Sequence, residues 1–304
     1  DLFLNHSQFL FKLTLVMRFE SFFTGHKASV LALAGNPKEP FFFSVGADGL
    51  VVRWNVHNPD EGDVIIRLNG IVPSMTYDKQ SNCLYAVLNQ KGILEIDHTN
   101  RESELIVPLP STSFNKLVVS GRYGIASAKG GELILFELKE KKIIDRIQTG
   151  LESTPQFILD EAKLWHYGTQ GFDTIGWDEN GFKRSDSIHF KEDVCMTSVG
   201  KYIWASEEDF LHMVDMKKQG KIFTIETKHG HFIKLLGSKE SGFMVALLKS
   251  GDLVTIETSK KNALVGQPVQ KEHNGAINDL LWSENYTFVI TAGRDKKIGV
   301  WRFN

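Results

Sequence analysis

Two blocks at opposite ends of the chain share one spacing, and that spacing constrains the fold more than any other feature. From His26 it is 18 residues to Ser44, 22 to Asp48 and 28 to Trp54. From His273 it is 18 to Thr291, 22 to Asp295 and 28 to Trp301. Within the first block, Val30-Leu31-Ala32-Leu33-Ala34 is apolar throughout, as suits a strand packed on both faces. Phe41-Phe42-Phe43-Ser44-Val45 reads as a second strand, and Gly46-Ala47-Asp48-Gly49 has hairpin-turn chemistry. Leu50 to Val56 is then a third strand, carrying Trp54.

The period continues between the two blocks although the His and Asp are lost. Trp54 is followed at the corresponding point of later strand-like runs by Ile96, Phe136, Trp177, Val214, Ile256 and Trp301. The steps are 42, 40, 41, 37, 42 and 45 residues. Polar or turn-forming segments such as His57-Asn58-Pro59-Asp60-Glu61-Gly62 follow most of these markers, reading as hairpins to an outer strand.

Blocks with this grammar resemble WD40 repeats, each of which is one four-stranded blade of a β-propeller. The resemblance implies an all-β fold, and the seven markers predict a seven-bladed propeller of four-stranded antiparallel blades. The last blade has only three strands before the chain ends at Asn304. Phe19 to Phe23 is the unused strand-like segment, so it is predicted to close the ring as the outer strand of that blade. One propeller then spans residues 17–304. Residues 1–16 read as an N-terminal extension ahead of a natural start at Met17.

The resemblance also implies that His26–Ser44–Asp48–Trp54 and His273–Thr291–Asp295–Trp301 are structural tetrads, each hydrogen-bonded within its blade. A Ser-His-Asp set suggests a hydrolase, but here the Trp takes the hydroxyl as acceptor, and no G-x-S-x-G elbow surrounds Ser44. The chain has no G-x-x-x-x-G-K-S/T or G-x-G-x-x-G loop, no C-x-x-C and no H-E-x-x-H. Catalytic residues, cofactor sites and metal sites are therefore not expected.

The implied function is a non-catalytic scaffold that binds a protein or peptide on the narrow face of the propeller. Two positions per blade commonly contribute in the family. On the blades that match they are Leu31 and Ala47 in the first and Asn278 and Arg294 in the last, with Arg294 able to fork onto a partner carboxylate. The alternative is a small-ligand-binding or hydrolytic propeller using the channel mouth. The formal net charge of −2 offers no case for nucleic acid or an anionic membrane. No apolar run reaches the length of a membrane-spanning helix. Cys83 and Cys195 read as free thiols of a reducing compartment, so a cytoplasmic protein is expected, either monomeric or a subunit of a larger complex. The stretch from Phe23 to about Gly70 resembles bacterial stand-alone single-propeller WD40 proteins.

Overall fold

The computed structural model describes residues 16–149, 156–160, 163–168, 171–189, 194–199, 202–215, 220–238, 242–258 and 263–303. The predicted extension therefore lies, but for Val16, outside the described residues. Among the described residues every regular element is a strand.

The N-terminal strand β1 (Met17–Phe23) stands apart from the sheet that follows it. The next sheet is β2 (Val30–Gly35), β3 (Phe41–Gly46), β4 (Leu50–Asn55) and β5 (Asn58–Arg67). It is succeeded by β6 (Ser74–Asp78), β7 (Cys83–Leu88), β8 (Gly92–Asp97) and β9 (Glu102–Pro108). A third sheet holds β10 (Phe114–Ser120), β11 (Tyr123–Ala128), β12 (Glu132–Glu137) and β13 (Lys142–Gln148). A fourth holds β14 (Gln156–Asp160), β15 (Lys163–Gly168), β16 (Gly171–Asp178) and β17 (Gly181–His189). Next come β18 (Val194–Val199), β19 (Tyr202–Glu207), β20 (Phe210–Asp215) and β21 (Gly220–Glu226). They are followed by β22 (Phe232–Gly237), β23 (Phe243–Leu248), β24 (Leu253–Thr258) and β25 (Ala263–Val265). The last sheet orders β26 (Ile277–Ser283), β27 (Phe288–Gly293) and β28 (Ile298–Phe303) beside β1.

Short connections join successive strands within each sheet. Gly49, at the exit of the β3–β4 turn, has φ of 78°, a left-handed conformation that favours glycine. The first strands of the sheets contact one another in chain order, and β26 returns to β2. They thus surround a central channel, and the sheets radiate from it like the blades of a propeller.

The core lies between blades rather than within them. Phe43, Val45 and Val51 of one sheet pack with Met75, Leu84 and Ala86 of the next, and the same pattern recurs around the ring. The described core divides into six such clusters. This corrects the expectation of a seven-bladed propeller. Six sheets are blades described in both backbone and side chains. In the sheet β14–β17, side chains are described only over 175–178 and 181–183. The physical reason is that a marker such as Trp177 counts third strands. A propeller blade is defined further by the cores it shares with both neighbours.

Closure joins the two ends of the chain in one sheet. β1 pairs antiparallel with β28, from Met17 opposite Phe303 to Phe23 opposite Ile298. The strand begins two residues before the predicted Phe19, and Met17 is buried. Phe19 meets the Trp301 ring at 5.1 Å and Phe22 meets His273 at 5.2 Å, while Phe23 reaches Trp54 of the following blade at 5.6 Å. One short strand thus covers the last blade and packs on the first.

Candidate functional site

The structure brings each predicted tetrad together. Trp54 Nε1 donates to Ser44 Oγ at 2.8 Å, and that oxygen lies 2.7 Å from His26 Nε2. His26 Nδ1 is 3.1 and 3.2 Å from the two oxygens of Asp48. An indole N–H can only donate, so the Ser44 hydroxyl accepts from Trp54 and gives its own proton to Nε2. Nδ1–H then donates to the carboxylate. Asp48 also accepts the backbone N–H groups of Lys27 at 2.7 Å and Leu50 at 3.1 Å, which ties the strand entry to the β3–β4 turn. The last blade repeats this with Trp301 to Thr291 at 3.1 Å, Thr291 to His273 at 2.7 Å and His273 to Asp295 at 3.0 Å.

Both hydroxyls are fully buried, and each already accepts from a Trp, so neither is poised as a nucleophile. Burial alone would raise both carboxyls. For Asp48, the Lys27 and Leu50 amides and His26 outweigh it and leave the group below the usual range. For Asp295 the opposing groups are His273 and the Asn274 and Lys297 amides, with the same net direction. The close fit extends to Gly46, where an added Cβ would stand 2.5 Å from Asp48 Oδ1 and 2.6 Å from His26 Nδ1.

The four candidate partner-binding residues occupy one end of the channel with differing freedom. Leu31 is half-buried, and Ala47 is exposed at the tip of the β3–β4 turn. Asn278 is exposed at its surface but committed: its Nδ2 donates to Ser29 Oγ at 3.0 Å and to the Val30 carbonyl at 2.6 Å, bridging the last blade to the first. Arg294 is exposed, and the described residues give its side chain no hydrogen bond or salt bridge.

Backbone hydrogen bonds extend these positions to blades in which the motif has decayed. Ala47 N–H donates to Ser29 O at 2.8 Å and Arg294 N–H to Ala276 O at 2.8 Å. The same bond is made by Asn89 to Ile71, Lys129 to Ser113 and Lys249 to His231. Asn89, Lys129 and Lys249 are thus the counterparts of Ala47 and Arg294. A second equivalence lies in the innermost strands, where the register shifts at Leu31, Asn115, Ile233 and Asn278 alike. Each is an unpaired bulge residue. Sequence reading missed Asn89, Lys129, Lys249, Asn115 and Ile233 because no His or Asp marks their blades. The 37- to 45-residue period was the available signal, and it locates a strand more coarsely than a single residue.

The family model described as "WD domain, G-beta repeat" matches residues 17–55 and 266–302, the two stretches that hold the tetrads. The chain carries WD40 repeats at both ends. Among solved structures, the WD40 β-propeller domain of Doa1 is similar with a TM-score of 0.70 at 15% identity, covering 94% of this chain and 97% of that one. A chain of the mitotic checkpoint complex is similar with a TM-score of 0.79 at 11% identity, covering 99% of this chain and 97% of its own. At these identities the likeness is one of fold. No curated protein matches this WD40 chain by sequence.

Proposed function

We propose that this WD40 propeller is a non-catalytic scaffold that binds an acidic protein or peptide segment on the face bearing Ala47 and Arg294. The observation that carries the reading is the charge of the equivalent turn positions. Lys129, Lys249 and Arg294 fill three of the five, and all are exposed. Lys27, Lys91 and Lys271 are exposed beside them in neighbouring loops. The whole chain is slightly acidic, at −2, so these cations run against its net charge. A rigid ring holds these cations in place, which lowers the ordering cost of binding. It also favours partners whose potential is of opposite sign. WD40 propellers are typically protein-interaction scaffolds, which agrees with this reading.

Arg294→Glu tests it. A pull-down with the immobilised variant is expected to lose acidic partners that the wild type retains. The melting temperature should stay close to that of the wild type, because exposed substitutions of this kind usually change stability by about 0.5 kcal/mol or less. Equal capture of every partner by both proteins would remove Arg294 from the interface.

A further inference from the structure

Three charged side chains from the innermost strands meet inside the channel, one position below the rim. Lys116 follows the bulge residue of β10, Lys234 that of β22 and Asp279 that of β26. β10 does not neighbour β22 or β26 around the ring, so Lys116 approaches the other two across the channel. Lys116 is half-buried in exposure yet surrounded by protein, as befits a side chain inside a channel.

The charges do not balance. Asp279 is buried and its acceptors are committed: one oxygen takes the Leu33 N–H at 2.9 Å, and the other takes the Leu280 N–H at 3.0 Å and the Lys234 ammonium. Lys116 has no hydrogen bond of its own among the described residues and feels Lys234 as a like charge. Burial pushes its ammonium below the usual lysine range, Asp279 draws it back up and Lys234 lowers it further. Two lysine side chains therefore face one carboxylate among the described residues, an excess of positive over negative groups there. The matching positions of β2 and β6, Ala32 and Ser74, carry no charge.

We propose that the channel mouth is an anion site, in which Lys116 and Lys234 bind the carboxylate of an acidic side chain or terminus presented by the partner. This deepens the scaffold reading and rests on it for the source of the carboxylate. The recognising chemistry, a pair of half-buried ammonium donors against one negative group, would also hold a free anion such as inorganic phosphate. Direct rim contacts and the channel then act on one ligand, the first through Arg294 and its equivalents and the second through Lys116.

The probes are hexaglutamate and inorganic phosphate, titrated at constant ionic strength against full-length wild type, Lys116→Met and Arg294→Glu. Binding is read from the side-chain 15N resonance of Lys116 and by calorimetry. Lys116→Met leaves the Lys234–Asp279 pair balanced and fills the same volume, so a folded variant is expected. Its dissociation constant for the bound probe should rise roughly tenfold or more, the usual effect of removing one partner of a buried charged contact. Binding of hexaglutamate identifies a peptide carboxylate as the ligand, and binding of phosphate alone identifies a free anion. Both outcomes support the anion site if Lys116→Met weakens them. Equal binding by wild type and Lys116→Met, or no response of either probe, overturns it. If Arg294→Glu loses hexaglutamate while Lys116→Met retains it, the scaffold reading stands and the channel site falls. If phosphate binding depends on Lys116 while Arg294→Glu changes the binding of neither probe, the channel site stands and the rim contact falls.

Discussion

Deleting residues 1–24 is expected to turn this propeller into an aggregating, non-cooperative species, whereas deleting residues 1–16 should leave a soluble protein with a sharp melting transition. The larger deletion removes β1 and with it the outer edge of the last blade. Met17 and Phe23 are both buried, and burying such side chains contributes roughly 1.5–3 kcal/mol each. The six paired positions with β28 are lost as well, as are the ring contacts of Phe19 with Trp301, Phe22 with His273 and Phe23 with Trp54. The combined loss is comparable with the whole stability of an ordinary domain, about 5–15 kcal/mol. It also bares β28, whose buried apolar residues would present an unpaired edge to other copies. Melting curves and gel filtration of the two truncations provide the check. A stable monomer lacking residues 1–24 would show that the ring does not depend on this strand.

The second large effect should come from the tetrads. Asp48→Ala or Asp295→Ala leaves a buried His and two backbone N–H groups without their acceptor, and each is expected to cost about 1–3 kcal/mol. Asp48→Asn should cost less, since an amide oxygen still accepts one of these donors. The pH dependence follows from the direction of the carboxyl shifts. Both groups are held below their ordinary value, so their stabilising contribution is complete above the unfolded pKa of about 4. It is lost as pH falls through the still lower folded values. Wild-type stability should therefore decline below about pH 4, and the decline should be shallower in Asp48→Ala. Denaturant midpoints measured across that range test both statements. An Asp48→Ala protein with unchanged stability but a lost binding activity would give the tetrad a functional role.

Much of this architecture was legible in the sequence, and the reason is locality. His26, Ser44, Asp48 and Trp54 belong to one sheet whose turns are short, so the order of residues fixes the register and the register fixes which side chains meet. The closing strand was legible by elimination, because the last blade lacked a strand and one segment was left to supply it.

Contacts between blades were decided only in three dimensions. Asn278 reads as a rim residue free for a partner, yet the neighbouring blade engages it through Ser29 and Val30, which are remote in sequence. Lys116, Lys234 and Asp279 carry no shared motif, and their convergence depends on bulges that shift the alternation of side chains in β10, β22 and β26. A strand shifted by one residue sends its side chains to the opposite face. The sequence by itself determined the repeated blade and its internal hydrogen bonds, since these act over about thirty residues of contiguous chain. Only the tertiary structure decided what faces the channel, because that depends on the positions of strands from distant blades around a closed ring.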